Sequence, residues 1–418
     1  MADIRKDGEK AAVSRIKEFG GREASVLENG MLRVMIDDFG GMIPELSAPR
    51  GRGRINAHWL PWFRSSSGKP FGKEEETFWK ANLLYNIAGN FPCAPNFGPP
   101  NSVDGIEFPA HGWTANRAWK MVKNGIDGES GAAFAVSVME SPEKGMPLSF
   151  KKTDVLVPGE PVHYAGLEIH NNGNTDIEIC CAWHNTLGAP FLQAGCRISG
   201  AAEKWITAPG GGEFDETTRL VSGAEFASLS AAPLSGGGTA DISLVPGPIG
   251  YTDFACGVIP SPARLGWSAL VNPCLSLAYV CFFPGPAGAD GDDIVLRFNE
   301  LWMQYGGRLF TPWAPCEGGS DLTYCVGTEN AASAYACGLE YSRKTRRLLD
   351  APVTVVIPAG KSRTLRYGTL FAPYDGGTLD GGVIAAEAED GSLVCGGKEG
   401  TARFAADAAF RVLKGIKA

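Results

Sequence analysis

The sequence predicts an all-β protein built from antiparallel strands, with a few peripheral helices. Short runs of alternating or continuous apolar residues recur along the chain, which is typical of strands. The 55 glycines and 28 prolines supply the turns between those runs. No shift in composition marks a linker, and no repeat recurs at a fixed period. We therefore expect one β-sandwich domain over residues 1–418.

The expected strands follow one another from the first quarter of the chain nearly to its end. They are residues 26–37, 132–140, 149–157, 163–171, 177–183, 275–283, 293–301, 352–357 and 363–371. Helical periodicity is confined to three segments, which are residues 7–19, 73–89 and 401–416. We expect these helices to pack on the outside, the first and last as terminal extensions.

Charge and hydropathy narrow the class of protein. The net charge of −8 and the pI of about 5.3 argue against a nucleic-acid partner, because such binding depends on clustered Lys and Arg. No apolar run is long enough to cross a bilayer, so no membrane partner is expected. The first twenty residues lack the apolar stretch of a signal peptide. These features predict a soluble, cytoplasmic protein.

Cysteine spacing and short motifs predict neither a metal nor a cofactor. The eleven cysteines are an odd number and most stand in apolar runs, as buried thiols do in a reducing compartment. No Cys-x-x-Cys or His-Glu-x-x-His spacing is present. Nucleotide-binding glycine fingerprints and a serine-hydrolase elbow are also missing. Any reaction is therefore expected to use side chains alone.

Two of the five histidines stand in loops that suit acid–base chemistry. His111 lies in a turn of the segment EFPAHGW, and His184 ends the strand-like segment ICCAWH. An imidazole near neutrality is a common general acid. His163 and His170 end one alternating strand, where a solvated or paired surface role is expected, and His58 stays undecided.

A carboxylate and several aromatic rings complete the candidate site. Glu329 follows an apolar strand and a glycine, where it is either held by structural hydrogen bonds or desolvated enough to act as a base. Aromatic rings near polar residues suit a sugar, although tryptophans also fill cores. The expected sugar-binding residues are Trp59, Trp62, Trp113, Arg117, Asn185 and Trp313.

Five segments, taken in order, resemble the aldose 1-epimerases, or galactose mutarotases. They are ENGMLRVMIDDFGGMIPEL; AHGW followed by RAWKM; LEIHNNGNTDIEICCAWHNTLG; LWMQYGGRLFTPWAPCEGGSDLTYCVGTEN; and VVIPAGKSRTLRYGTLF. The resemblance covers roughly residues 25–375. It implies an antiparallel β-supersandwich with a small-molecule sugar in an open cleft, and it needs no metal or cofactor.

The resemblance also implies a role for each candidate residue. By that likeness His184 protonates the sugar ring oxygen, Glu329 removes the proton from the anomeric hydroxyl, and His111 hydrogen-bonds the substrate. The chain departs from the family pattern after the His-Gly motif, where Ala115 replaces a common arginine and Arg117 follows two residues later. The identity of the sugar therefore does not carry over.

Two other functions remain open from the sequence. The first is a sugar-binding protein that has the cleft without turnover. The second is another carbohydrate enzyme, a lyase or glycosidase, since a fold does not fix the chemistry. A glycosidase would require a further carboxylate close to Glu329, such as Glu317 or Asp321.

Overall fold

A computed structural model describes residues 11–17, 22–67, 69–212, 214–215, 217–314 and 324–416. The strands of the first half are β1 (Ala12–Lys17), β2 (Glu23–Glu28), β3 (Arg33–Asp37), β4 (Glu45–Arg50), β5 (Gly53–Asn56), β6 (Phe91–Cys93), β7 (Asn101–Val103), β8 (Ile106–Phe108), β9 (Lys120–Ile126), β10 (Ala133–Glu140), β11 (Leu148–Leu156), β12 (Val162–Asn171), β13 (Ile177–Ile179), β14 (Cys181–His184), β15 (Thr186–Leu187), β16 (Arg197–Gly200) and β17 (Lys204–Thr207).

The later strands are β18 (Glu225–Phe226), β19 (Ala232–Pro233), β20 (Thr239–Ala240), β21 (Tyr251–Val258), β22 (Leu265–Asn272), β23 (Leu277–Pro284), β24 (Phe298–Tyr305), β25 (Cys325–Ala332), β26 (Arg347–Leu348), β27 (Ala351–Pro352), β28 (Val355–Ile357), β29 (Ser362–Pro373), β30 (Ala385–Glu389), β31 (Ser392–Gly396) and β32 (Thr401–Ala405). The α-helices are α1 (Lys73–Trp79), α2 (Asn82–Asn86), α3 (Gly112–Asn116), α4 (Leu339–Thr345) and α5 (Arg411–Gly415), and a 3-10 turn covers Leu229–Ala231.

Two large antiparallel sheets dominate the architecture. The β12 sheet has the order β16-β22-β23-β29-β12-β11-β10-β9. The β25 sheet has the order β18-β17-β21-β24-β25-β14-β6, with β15 also paired to β25. A five-stranded sheet, β1 to β5 in order, and a three-stranded sheet, β30 to β32, accompany them. The paired strands run antiparallel, which confirms the all-β fold class.

Strand β23 of the β12 sheet is buried on both faces. On β23, Tyr279 and Phe283 belong to the core shared with the β25 sheet, whereas Val280 and Phe282 belong to a second core formed with the C-terminal segment. Successive side chains of a strand point to opposite faces, so both sets must be apolar. This explains why residues 275–283 form a nearly continuous apolar run.

Polar side chains also join the two large sheets. Asn185 donates to the Tyr367 hydroxyl at 2.5 Å and accepts from the Tyr279 hydroxyl at 3.1 Å. The Ser268 hydroxyl donates to the Thr328 carbonyl oxygen at 3.2 Å. These buried polar groups find partners across the interface, which fixes how the sheets face each other.

The predicted terminal helices are the main errors in the secondary structure. Of the segment 7–19, the described residues 12–17 form β1, which pairs along its whole length with β2. Of the segment 401–416, residues 401–405 form β32 and only Arg411–Gly415 is helical. In both segments a neighbouring strand edge outweighed the helical propensity of the residues.

The inner helical prediction, residues 73–89, is confirmed with an interruption. Helix α1 ends where Lys80 takes a φ of 65°, and α2 begins two residues later. The predicted strand 26–37 is likewise two strands, because Asn29 and Gly30 turn the chain between β2 and β3. The division of the chain into one domain with a core at about residues 25–375 stays a prediction.

Candidate active site

A cavity of about 200 Å³ opens beside the β25 sheet. The polar side chains on its described wall are those of His111, His184, Arg308 and Glu329. His184 and Glu329 are each only 3% exposed. Three of these four residues were predicted from the sequence, and the structure brings those three together although more than two hundred residues separate His111 from Glu329.

The register of the β25 sheet explains how His184 meets Glu329. Strand β14 pairs with β25 so that Trp183 lies opposite Asn330. The next residue along β14 is His184, and the preceding residue along β25 is Glu329, so the antiparallel ladder places them side by side. His184 Nε2 lies 3.3 Å from Glu329 Oε1.

Two neighbours fix the orientation of the His184 ring. The ring stacks on Phe91 with centroids 4.5 Å apart and an angle of 16°, because β6 pairs with β14 at this position. Nδ1 shares a hydrogen bond of 2.9 Å with the Thr186 hydroxyl. The second nitrogen, Nε2, is thereby directed at Glu329.

His111 reaches the same cavity from a left-handed backbone position. It precedes α3 with φ 58° and ψ 19°, and its amide donates to the Gly98 carbonyl oxygen at 2.9 Å. Gly112 follows with φ 78°, and a Cβ there would lie 2.4 Å from the Ala94 carbonyl oxygen. Glycine at position 112 is therefore required by the turn. The His111 and His184 rings are perpendicular, with centroids 4.9 Å apart.

Gly327 leaves the space that the Glu329 carboxyl occupies. The two residues are two positions apart on β25, so they share one face of the sheet. A Cβ on Gly327 would lie 2.6 Å from Glu329 Oε1. The glycine in the segment CVGTEN is thus a steric condition for the position of the carboxyl.

Burial strongly shifts the pKa values of the titratable side chains on the cavity wall. It raises the pKa of Glu329 to about 8, against the opposing charge of Arg308. Burial lowers the pKa of His111 to about 3, and the Arg308 charge acts in the same direction. Burial also lowers the pKa of His184 well below its usual value, with smaller effects from His111 and Arg308. At neutral pH the two rings are therefore uncharged, and the Glu329 carboxyl holds the acidic proton of the His184–Glu329 pair.

Arg308 is a further cavity residue, and it was not among those expected from the sequence. It follows Gly306 and Gly307 at the end of β24, and its guanidinium lies 4.7 Å from the Trp313 ring centroid and 5.1 Å from that of Trp302. Burial lowers its pKa to about 10, so it stays charged at neutral pH. Its local sequence, an arginine after two glycines at a strand end, does not mark it as a cavity residue.

Trp313 is the one predicted aromatic residue that lies on the cavity wall. Trp59 lies behind it, since the two rings stack with centroids 5.6 Å apart and an angle of 7°. Trp59 is 4% exposed and does not line the cavity. The predicted wall position of Trp59 is therefore corrected to a support for the Trp313 ring.

Three other predicted sugar contacts lie away from this cavity. Trp62 is 45% exposed and packs on its neighbour Phe63. Trp113 is buried in the core against Phe108, with centroids 5.2 Å apart. Arg117 is exposed at the end of α3. Their loops are near the site in sequence, but their side chains turn outwards or into the core.

Asn185 is also absent from the cavity wall, for a reason set by strand geometry. His184 faces the cavity, so the next residue of the extended chain must face the opposite side. There Asn185 lies between the two large sheets and hydrogen-bonds Tyr367 and Tyr279. Its predicted contact with a sugar is therefore corrected to a structural role.

The remaining histidines lie outside the cavity. His163 is fully buried and Nε2 lies 3.0 Å from an Asp154 carboxylate oxygen, which corrects the expected surface position. Lys152 completes that buried group through its own contact with Asp154. His58 is buried and donates from Nδ1 to a backbone carbonyl at 2.6 Å. His170 is half-buried and pairs with a serine hydroxyl at 3.0 Å.

A second buried carboxyl adjoins the site without lining the cavity. Glu300 on β24 lies directly opposite Glu329 on β25, and it is 0% exposed. Burial raises its pKa well above the usual value, and the charge of Glu329 adds to that effect. Glu317 and Asp321, the carboxylates weighed from the sequence, lie outside the described residues.

The described chain has neither a clustered set of metal ligands nor a membrane-spanning helix. Within residues 11–416, apart from the gaps given above, no group of three or more His, Cys, Asp or Glu side chains could hold a metal ion. In the same part of the chain no helix has the length and hydropathy needed to span a bilayer. The cysteines that the structure describes are free thiols, and eight of them are buried.

Comparison with known proteins shows the fold. No protein-family model matches the chain, and no curated protein matches it. A proposed aldose 1-epimerase from Klebsiella pneumoniae is 13% identical with a TM-score of 0.59, over 87% of this chain and 84% of that one. A galactose mutarotase-like protein from Clostridium acetobutylicum is 12% identical with a TM-score of 0.56, over 87% and 99% of the two chains.

A third structure leads to the same result. A proposed mutarotase from Salmonella typhimurium is 13% identical with a TM-score of 0.54, over 86% of this chain and 94% of that one. The chain therefore has the galactose mutarotase-like β-supersandwich fold, as the sequence motifs predicted. The low identity limits this likeness to the fold.

Proposed function

We propose that the protein is a sugar mutarotase, which interconverts the α and β anomers of an aldose. One observation carries the proposal, the contact of 3.3 Å between His184 Nε2 and Glu329 Oε1 on the wall of a small cavity. The fold shared with proteins named as mutarotases or aldose 1-epimerases supports it. The reaction requires one proton to leave the anomeric hydroxyl and one to reach the ring oxygen.

The His184–Glu329 pair can supply both transfers with a single proton. Transfer within the pair gives a Glu329 carboxylate and a His184 imidazolium. The carboxylate then takes the proton of the anomeric hydroxyl while the imidazolium protonates the ring oxygen, and the ring opens to the aldehyde. Closure on the other face of the aldehyde reverses both transfers, so the pair ends with the proton count with which it began.

The buried surroundings favour this exchange. The two groups are held side by side by the β14–β25 ladder, and a monosaccharide has both reacting oxygens on one carbon. His111 stands perpendicular to His184 and is uncharged at neutral pH, so it is placed to hydrogen-bond the same part of the substrate. Arg308 adds a fixed positive charge that offsets the negative charge on Glu329 during transfer.

A glycosidase is less well supported by the same geometry. Hydrolysis of a glycosidic bond commonly uses two carboxyl groups that both face the substrate. Within the part of the chain that the structure describes, Glu329 is the acidic residue on the cavity wall, and its partner on β24, the fully buried Glu300, does not line the cavity. A sugar-binding protein without turnover would not require a histidine and a carboxyl group placed to exchange a proton.

The proposal is tested by following anomer exchange directly. Fresh α anomers of a panel of aldoses are mixed with the protein, and the approach to equilibrium is recorded by polarimetry or saturation-transfer NMR. We expect acceleration above the buffer rate for at least one sugar, and loss of that acceleration in His184→Gln. No acceleration across the panel, or acceleration undiminished in His184→Gln, contradicts the proposal.

A further inference from the structure

Most of the described cavity wall is made of apolar side chains. Helix α2 contributes Leu83 and Leu84, and Ile87 follows at its end. Phe214 and Phe254 line the same cavity and stack on each other, with ring centroids 5.1 Å apart and an angle of 14°. These side chains offer a surface for C–H groups, and they have no atom that can bond a hydroxyl.

The polar groups of the wall form one connected cluster. His111 is 4.9 Å from His184 between ring centroids, and His184 is 3.3 Å from Glu329. Arg308 lies over the Trp302 ring, whose centroid is 6.2 Å from that of His184. Among the described side chains of the wall, hydrogen-bonding groups are thus concentrated in this cluster, where the anomeric carbon and its two oxygens must bind for the proposed reaction.

This division sets a condition on the rest of the substrate. When O1 and O5 occupy the polar cluster, carbons further round the ring and the exocyclic carbon lie against other parts of a cavity of about 200 Å³. A hydroxyl held against Leu84 or Phe254 would lose its water and gain no side-chain partner there. A hydrogen or methyl group at that carbon would pack against the same surface favourably.

We propose that the substrate is a deoxygenated aldose, in which a hydrogen replaces at least one hydroxyl away from the anomeric centre. This inference rests on the proposed mutarotase activity. The apolar surface of Leu83, Leu84, Ile87, Phe214 and Phe254 receives the deoxygenated part of the sugar, while the polar cluster receives its hemiacetal. The surface is specificity-determining and takes no part in the proton transfers.

Matched pairs of sugars test the inference. Anomer exchange is measured for D-galactose against 6-deoxy-D-galactose, L-mannose against 6-deoxy-L-mannose, and D-glucose against 2-deoxy-D-glucose. We expect kcat/KM to favour the deoxy sugar by about 10- to 100-fold in at least one pair, the range seen when an apolar pocket meets an added hydroxyl. Exchange of the parent sugar that equals or exceeds that of its deoxy partner in every pair overturns the inference and leaves the mutarotase activity standing.

A substitution in the apolar surface links the preference to these residues. Leu84→Asn gives the wall a donor and an acceptor, so kcat/KM for the parent sugar should rise. The ratio of kcat/KM for the deoxy sugar to that for the parent sugar should therefore fall by at least about threefold. Leu60→Asn is the matched control, because Leu60 is 40% exposed and does not line the cavity. Equal preferences in wild type, Leu84→Asn and Leu60→Asn would show that another surface selects the sugar.

Binding separates failure of the inference from failure of the activity. Saturation-transfer difference NMR with the Glu329→Gln variant records sugar binding without exchange. Stronger binding of the deoxy sugar there, with no exchange in wild type, supports the apolar subsite and refutes the mutarotase. Absence of exchange together with equal or absent binding refutes both.

Discussion

Two buried histidine–carboxylate pairs in this protein differ in what surrounds them. His184 and Glu329 lie 3.3 Å apart on the wall of a cavity, and His163 and Asp154 lie 3.0 Å apart inside the core. Lys152 contacts Asp154 in the second pair, at 2.5 Å from one carboxylate oxygen. The distances alone would not tell which pair can do chemistry.

The surroundings shift the pKa values of the two carboxyl groups in opposite directions. Burial raises the pKa of Glu329 to about 8. Burial acts to raise the pKa of Asp154 as well, but the charge of Lys152 and the bond to His163 lower it below its usual value. Asp154 is therefore a permanent anion locked to a cation, whereas Glu329 can gain and lose a proton near neutral pH. The reactive pair opens onto a cavity, whereas the structural pair is enclosed in the core and its carboxylate contacts Lys152.

Removing the carboxyl of the cavity pair should have the largest effect. Glu329→Gln keeps the shape of the side chain but cannot accept a proton, so anomer exchange should fall by about 10²- to 10⁴-fold. Sugar affinity should stay nearly intact, and the free energy of unfolding at neutral pH should not fall, because unfolding lets Glu329 of wild type ionise whereas a neutral amide has no proton to release. Undiminished exchange would show that the two pairs do not differ as described.

Removing the carboxylate of the core pair should lower the stability of the protein and leave anomer exchange unchanged. Asp154→Asn leaves the Lys152 ammonium buried without a counter-charge, so we expect a loss of about 3–5 kcal/mol in the free energy of unfolding. Exchange per folded molecule should be unchanged. Urea unfolding and exchange rates measured on the same samples check this. Exchange lost while the variant stays folded would place the core pair in the reaction.

A methyl group at position 327 tests how tightly the cavity carboxyl is placed. In Gly327→Ala the new Cβ would lie 2.6 Å from Glu329 Oε1, so the carboxyl must move. A displacement of about 1 Å in a reacting group can lower turnover by about 10²-fold. Gly166→Ala on β12 is a matched control, since a Cβ there makes only ordinary contacts, at 3.6 Å or more. Equal exchange in both variants would contradict the steric role of Gly327.

The smallest expected effect is the contribution of Glu329 to the pH dependence of the free energy of unfolding. The folded-state pKa of Glu329, about 8, exceeds the usual value of 4.5, so its stabilising contribution is complete below pH 4.5 and is lost as the pH rises towards 8. The lowered pKa values of His111 and His184 act below pH 6.5. Between pH 6.5 and 8, wild type should therefore lose about 1 kcal/mol per pH unit relative to Glu329→Gln. Parallel pH profiles of urea unfolding would contradict the raised pKa.

The comparison also shows what the sequence could predict. Alternation and turn residues were enough for the all-β class, and ordered motifs were enough for the fold and for the meeting of His111, His184 and Glu329. The environment of His163 was not predictable, because its partner Asp154 lies on a neighbouring strand and nothing local signals the pair.

The remaining errors have a shared physical origin. Asn185 follows His184 in sequence, yet the strand turns its side chain to the opposite face. Arg308 has no local pattern that marks it as a cavity residue, since its neighbours Trp302 and Trp313 become its neighbours only in the folded chain. Sequence motifs predict which segments meet better than they predict which way each side chain points.

The β14–β25 ladder has a further consequence for how the site works over time. Its hydrogen bonds hold His184 and Glu329 together whether or not a ligand is present, as does the bond from the Thr328 amide to the Asn185 carbonyl oxygen at 3.0 Å. Ligand capture then involves no ordering of the two reacting groups, so that part of the entropic cost of association is absent. Backbone amides of β25 should accordingly show slow hydrogen exchange in the free protein, with little additional protection once a sugar is bound.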